Sequence, residues 1–253
     1  MNPLLIASLA LAGLAAGWGL RAVIVRYAVP PGEPARQCCA ACGNQILAAR
    51  WRPWLLLTPS GRCPACGQRA GPPALSVEAS TAVLLGALAA RIHPGLVLAA
   101  ACWLALCAVP LAFIDAAVRR LPDVLTAPAY AGTAVLLLLA AAVSGHWHAL
   151  AQGVLGGLAL AGFYLALALI SPAGMGLGDV KAAASLGTLL SWLGWPTLLA
   201  GTVAGFLLAG LYGGALLISG RATRKQHIPF GPFMIAGAFA AILAWHAAGS
   251  HFG

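Results

Sequence analysis

Long apolar stretches recur along almost the whole chain, and they constrain its fold more than any other feature. Most of them are about 18 to 22 residues long, enough for an α-helix to cross a bilayer. Only 8% of the 253 residues are charged and 61% are hydrophobic, whereas soluble domains carry about 25% charged residues. Runs such as VLLLLAAAV at 135–143 exclude an outer-membrane β-barrel, whose strands alternate apolar and polar residues. The sequence predicts an all-α, polytopic membrane helix bundle.

Eight stretches are candidate transmembrane helices, expected at 4–25, 75–92, 95–114, 124–143, 149–170, 180–193, 197–219 and 233–248. The sixth is the least secure, because it is short for a hydrocarbon core of about 30 Å. With eight crossings, both termini face the same side. The chain then divides into a first helix at 1–25, a polar loop at 26–74 and a membrane core at 75–253.

The basic residues are distributed unequally across the predicted bundle. Of the 14 Lys and Arg residues, all except Arg91 fall on one side. The positive-inside rule makes that side cytoplasmic, so both termini are expected outside. The net charge of +9 is then an orientation signal at an anionic membrane, and no nucleic-acid partner is expected. The amino end has no basic stretch before its apolar run, so no cleavable signal is expected.

Two C-x-x-C-G motifs lie about 20 residues apart in the polar loop. Each can direct two thiolates at one ion, and together they predict a zinc-ribbon-like Cys₄ site formed by Cys39, Cys42, Cys63 and Cys66. A reduced compartment favours metal over disulfides, and redox-active dithiols are the alternative. Cys38 could replace Cys39, but only Cys39 has the two-residue spacing. Because four thiolates leave no open coordination position, the zinc is expected to fold the loop and to take no part in catalysis.

All five acidic residues lie on or near the predicted cytoplasmic side. Asp115 ends the third span and Asp179 precedes the sixth. Carboxylates at such positions are costly and mark candidate functional sites. Structural roles are the alternatives: Asp115 could pair with Arg119, and Asp179 could cap a helix. For Asp123, which follows Pro122, capping of the fourth helix is the favoured role.

Two aspartates paired across helices would turn this set into an active site. Two neighbouring carboxylates cannot both ionise, so one keeps its proton while the other acts as general base on a water molecule. Such a pair hydrolyses a peptide bond without a metal or a nucleophilic serine. The glycines at 174, 176 and 178 would let the backbone approach a substrate.

Five motifs occur in an order that resembles type IV prepilin peptidases, the leader peptidases of type IV pili and type II secretion. They are the paired C-x-x-C motifs, PALSVE at 73–78, FIDAAVRRLPDVLT at 113–126, GMGLGDVK at 174–181 and IPFGPF at 228–233. The resemblance covers almost the full chain. It implies a GxGD aspartyl peptidase in the bacterial inner membrane, with its active site and zinc loop facing the cytoplasm. Its substrates would be prepilins or pseudopilins, cleaved after the Gly that ends a basic leader.

The resemblance also implies roles for individual residues. Asp115 and Asp179 correspond to the catalytic pair. Residues that would support the substrate or the loop are Gly176, Gly178, Lys181 and Asp123. Glu33 and Glu78 could attract the basic leader, although ties to nearby arginines are the expected role.

Family members with a zinc-bearing loop often methylate the new amino terminus, which implies S-adenosylmethionine as a co-substrate. The segment LLLTPSGRC at 55–63 departs from the Arg-Gly-Arg-Cys pattern common in the family, and no methyl-donor pocket is evident from the sequence. The residues alone leave two other function classes open, a proton- or cation-coupled transporter with a regulatory zinc module and a membrane-anchored zinc-ribbon scaffold. Both leave the GxGD and IPFGPF motifs unexplained. The sequence does not predict an oligomeric state.

Overall fold

A computed structural model describes residues 2–30, 32–47, 61–73, 75–171, 176–220 and 229–245. Within these ranges the chain is helical, with two isolated β-bridges and no strand. The helices are α1 Pro3–Tyr27, α2 Ser76–Arg91, α3 Leu96–Val118, α4 Asp123–Ser144, α5 Trp147–Ile170, α6 Leu177–Leu193, α7 Trp195–Ile218 and α8 Gly231–Trp245. They confirm the all-α prediction and begin and end within a few residues of the predicted spans. Gly174, residues 55–60 and the basic residues 221–225 lie outside the described ranges.

Five of these helices, α1, α3, α4, α5 and α7, are long and apolar enough to cross a membrane. Helices α2 and α6 contain 16 and 17 residues. At about 1.5 Å per residue they are shorter than a hydrocarbon core of about 30 Å. The shortness expected for the sixth span is therefore shared by the second, while α8 is described only as far as Trp245.

Successive helices alternate in direction, so that every second connection meets at the same end of the bundle. Near the end of α1, Arg21 pairs with Glu78 at the start of α2. Leu121, just after α3, lies against Gly178 in the first turn of α6. We call this the aspartate end, because Asp115 and Asp179 also lie here. A cavity at the opposite end is lined by residues of the α2–α3 and α4–α5 connections and by the end of α6.

Helix α3 lies at the centre of the bundle. In the most apolar 18-residue stretch of α3, 61% is buried inside the bundle, compared with 11% for α1 and 17% for α7. Helix α3 contacts α1, α2, α4, α6 and α8. Helix α6 is held against α5, where Gly156 and Gly157 lie so close to Ser191 and Thr188 that side chains would not fit. Small residues at such contacts let membrane helices approach closely. The two helices that carry Asp115 and Asp179 are therefore firmly packed.

Candidate active site

Asp115 lies in the last turn of α3 and is buried, with 5% of its surface exposed. The helix ends at Val118, and the capping residue Arg119 adopts a left-handed conformation (φ 54°) and donates its N–H to the Asp115 carbonyl at 2.8 Å. Arg119 is exposed, and in the described part of the chain no ion pair joins it to Asp115. Its charge still lies within electrostatic range of the carboxylate. The alternative role of Asp115 is therefore seen as a longer-range attraction and not as a direct pair.

The Asp115 carboxylate instead meets the start of α8. Its Oδ2 accepts a buried hydrogen bond of 3.0 Å from the backbone N–H of Gly231. The positive end of a helix dipole favours a carboxylate at this position. A Cβ atom on residue 231 would lie 2.7 Å from Oδ2, so a side chain there would displace the carboxylate. Gly231 lies in the IPFGPF motif, which is the only sequence signal for its role.

Asp179 is the third residue of α6 and is also buried, with 8% exposed. Its Oδ2 accepts a hydrogen bond of 3.0 Å from the N–H of Gly176, the residue that caps the helix. This confirms the helix-capping expectation for Asp179. Its Oδ1 is buried without a partner in the described part of the protein. A buried oxygen of this kind calls for a ligand or a water molecule.

The bundle brings the two aspartates together. Helices α3, α6 and α8 contact one another pairwise, and the carboxylates of Asp115 and Asp179 lie within electrostatic range of each other. Both approach the same end of the bundle, one from the end of a helix and the other from the start of a helix. Two carboxyl groups in such surroundings can share a proton.

The two glycines beside Asp179 differ in what they do. A Cβ on Gly178 would lie 2.8 Å from the Leu121 Cβ, so Gly178 lets α6 approach the α3–α4 connection. Gly176 has a φ of −88°, and among the described residues a Cβ there would make only ordinary contacts, 3.7 Å to the Asp179 Oδ2 and 3.8 Å to the Gly178 nitrogen. Gly176 therefore acts through its backbone N–H, which binds Asp179. Gly178 acts through its small size, which allows the close contact with Leu121.

Lys181 and Asp123 form an ion pair at the aspartate end. The Lys181 Nζ lies 2.6 Å from the Asp123 Oδ1, and both side chains are more than half exposed. The pair joins α6 to the start of α4. The prediction that Asp123 caps α4 is wrong: the cap position is Pro122, Asp123 is the first helical residue, and its side chain turns to Lys181 instead.

Glu78 and Glu33 have different surroundings. Glu78 forms a buried ion pair of 2.6 Å with Arg21, which confirms the expected tie to an arginine. The same guanidinium donates to the carbonyl of Pro73 at 3.2 Å, so it also holds the end of the polar loop. Glu33 is exposed and lines a cavity beside the α3–α4 connection.

The four predicted metal-binding cysteines converge in the loop between α1 and α2. The Sγ atoms of Cys39, Cys42, Cys63 and Cys66 lie within 4.8 Å of one another. The Cys39–Cys66 and Cys42–Cys63 Sγ distances are both 3.7 Å, too long for a disulfide. Four sulfurs bound tetrahedrally to zinc at about 2.3 Å would be about 3.8 Å apart. The cluster therefore fits a zinc ion, and Cys38 is exposed and takes no part in it.

The two cysteine motifs have matching conformations. The N–H of Gly43 donates to the carbonyl of Cys39, and that of Gly67 to Cys63, both at 2.9 Å. The two glycines have φ values of 71° and 70°, in the left-handed region that favours glycine. Backbone amides that follow each first cysteine lower the pKa of Cys39 to about 6 and also lower the pKa of Cys63. These amides favour the thiolate that a metal requires.

Known proteins resemble this chain over most of its length. The prepilin leader peptidase/N-methyltransferase of Aeromonas salmonicida strain A449 is 33% identical over 216 residues, which cover 82% of this chain and 71% of that relative. The protein of the same name from Bacillus subtilis strain 168 is 30% identical over 212 residues, covering 82% of this chain and 81% of the relative. The one from Pseudomonas aeruginosa is 31% identical, covering 81% and 70%.

No solved structure matches the chain significantly. A family model, described as the type IV leader peptidase family, matches residues 98–244. These residues contain both aspartates, the Lys181–Asp123 pair and Gly231. The chain therefore belongs to the type IV leader peptidase family.

Proposed function

We propose that Asp115 and Asp179 are the catalytic pair of an intramembrane aspartyl peptidase. Membership of the family makes the chain a prepilin-processing peptidase, and the finer proposal is cleavage after the Gly that ends the leader of a prepilin or pseudopilin. The observation that carries it is that two buried carboxyl groups, each accepting one backbone N–H, lie at the same end of the bundle on helices that contact each other. The Asp179 Oδ1, which has no partner among the described residues, is available to a water molecule.

The chemistry follows from the two carboxyl groups. The ionised one removes a proton from water as the water oxygen attacks the scissile carbonyl carbon, while the protonated one donates to the carbonyl oxygen. A proton then passes to the leaving nitrogen as the carbon–nitrogen bond breaks. Because each carboxylate accepts one N–H at a helix start, the environment does not single out either as the base. The pair is expected to titrate as a unit.

The aspartate end also fits the geometry of the substrate. A prepilin is a membrane helix preceded by a charged leader, so lateral approach would bring its scissile bond to the end of the bundle. We propose that this end faces the cytoplasm, on the grounds of the predicted excess of Lys and Arg there. The protein would then lie in the bacterial inner membrane.

The relatives share a name that refers to an N-methyltransferase as well as a peptidase. We propose methylation of the new amino terminus with S-adenosylmethionine as a second step. The Cys₄ cluster would hold a structural zinc ion that folds the loop between α1 and α2. The ion would stabilise the loop and take no part in catalysis, because its four ligands leave no coordination position for a substrate.

The test uses purified protein in proteoliposomes with a prepilin precursor. Asp115→Asn and Asp179→Asn are each expected to lower the cleavage rate by about 10²- to 10⁴-fold, the usual contribution of acid–base catalysis. The folds should survive, because the Asn side-chain oxygen can still accept the N–H of Gly231 or Gly176. Asp123→Asn is the control and should be much milder. Retained cleavage in both single variants would overturn the assignment of the pair.

A further inference from the structure

The cavity that Glu33 lines lies at the aspartate end, between the segment that follows α1 and the connection from α3 to α4. It has a volume of about 260 Å³. One wall consists of Tyr27, the last residue of α1, with Val29, Glu33 and Ala35, and the other consists of residues 120–124, where α3 is joined to α4. We call it the junction cavity. The carbonyl of Pro30 links its two walls, because it accepts hydrogen bonds from the Glu33 N–H at 3.2 Å and from the Arg120 Nη1 at 3.4 Å.

The junction cavity is adjacent to the aspartate site and separate from it. Arg120 lies five residues after Asp115 in the sequence. Leu121 lines the cavity and also packs against Gly178, the neighbour of Asp179. A molecule in the cavity would therefore be one side chain away from the place where a new amino terminus is released.

The polar groups of the cavity differ in chemistry. Tyr27 contributes an aromatic ring, Glu33 a carboxylate and Arg120 a guanidinium. The Arg26 guanidinium lies over one face of the Tyr27 ring, 5.9 Å from its centroid, so the opposite face would stack a ligand. S-adenosylmethionine has a complementary group for each: an adenine that stacks on an aromatic ring, a ribose diol that donates to a carboxylate, and an amino-acid carboxylate that accepts from a guanidinium. Its sulfonium cation is also attracted to a carboxylate and to an aromatic face.

A basic leader peptide suits the cavity less well. Arg120 forms part of the wall and would repel a leader that carries only cations, whereas S-adenosylmethionine also has a carboxylate to place against this guanidinium. Asp123 already holds Lys181. The volume is close to the lower limit of about 300 Å³ for small-molecule sites. One end of a ligand such as S-adenosylmethionine would then extend over the exposed rim formed by Glu33 and Asp123.

We propose that the junction cavity binds S-adenosylmethionine and presents its methyl group to the amine released at the aspartate pair. This inference rests on the methyl transfer in the proposed function. The neutral amine nitrogen attacks the methyl carbon and forms the nitrogen–carbon bond. The carbon–sulfur bond breaks, its electron pair stays on sulfur, and S-adenosylhomocysteine leaves. The methylated ammonium group releases its extra proton to water at the exposed rim.

The first experiment measures binding of S-adenosylhomocysteine to the purified full-length protein in nanodiscs, without any peptide. Arg120→Gln and Glu33→Gln are each expected to weaken binding by about tenfold or more, equivalent to about 1.4 kcal/mol. Arg119→Gln is the matched control, because it makes the same change one residue away, at an exposed side chain that does not line the cavity. It should bind like the unmodified protein.

The second experiment does not depend on variants that fold. Tritiated S-adenosylmethionine is crosslinked to the unmodified protein with ultraviolet light, and the labelled peptides are expected to lie within residues 27–36 or 119–124. Labelling elsewhere, equal binding by all three variants, or no binding by the unmodified protein would overturn the proposal. Binding of a basic leader peptide in the cavity, without binding of S-adenosylhomocysteine, would also overturn it. Because no cleavage is measured, failure of the peptidase assignment would leave these results unaffected.

Discussion

The backbone N–H of Gly231 donates a hydrogen bond of 3.0 Å to the Oδ2 of Asp115, which lies 116 residues earlier in the chain. This bond ties the start of α8 to the last turn of α3 and holds one of the two buried carboxyl groups in place. At this distance a side chain on residue 231 would displace the carboxylate. A glycine far from GxGD in the sequence is thus part of the same site.

Replacing Gly231 by alanine should move the Asp115 carboxylate, because the new Cβ would lie 2.7 Å from Oδ2. A displacement of about 1 Å at a catalytic group can lower a rate by about 100-fold. We expect a loss of leader cleavage of that order, measured with a prepilin precursor in proteoliposomes. Gly210→Ala is the control, since a Cβ there would meet nothing within 4 Å. Equal rates in the two variants would contradict the proposed contact.

The two glycines before Asp179 should respond differently to the same change. Gly178→Ala would place a Cβ 2.8 Å from the Leu121 Cβ and push α6 away from the α3–α4 connection, so cleavage should fall by about tenfold or more. Gly176→Ala keeps the N–H that caps Asp179 and has an allowed φ of −88°, so its effect should be within about threefold. Cleavage rates of the two variants, compared side by side, test this; an equal loss in both would refute the distinction.

Much of the fold could be predicted because the signals for it are local. The hydrophobicity of a span and the spacing of a C-x-x-C motif are each contained in a short segment. They predicted eight helices near their observed positions and the four cysteines that converge, with Cys39 rather than Cys38 in the cluster. The helix-capping role of Asp179 was also a local expectation.

The contacts that complete the candidate site could not be predicted in the same way. The Gly231–Asp115 hydrogen bond and the Lys181–Asp123 ion pair join residues on different helices, and no local pattern states which helices meet. The capping role expected for Asp123 failed for this reason, because a partner on α6 attracted its side chain. The different roles of Gly176 and Gly178 likewise depend on Leu121, which belongs to another connection.

The cysteine cluster predicts a metal content that differs between neighbouring residues. Cys39→Ser should remove zinc from the purified protein, because three thiolates bind it far less well than four. Cys38→Ser should retain zinc, because Cys38 is exposed and outside the cluster. Elemental analysis of both proteins provides the measurement. Zinc retained in Cys39→Ser and lost in Cys38→Ser would reverse the ligand assignment.

The two ion pairs at the aspartate end should differ in their effect on stability, although both have a distance of 2.6 Å. Arg21 and Glu78 are almost completely buried, with side-chain exposures of 2% and 6%. Glu78→Gln would leave the buried guanidinium without its counter-charge, which costs about 3 to 5 kcal/mol. Asp123 and Lys181 are 70% and 54% exposed, and Asp123→Asn should cost about 0 to 1 kcal/mol. Thermal unfolding of the two variants in one detergent compares them directly, and a larger loss for Asp123→Asn would show that burial does not set the strength of these pairs.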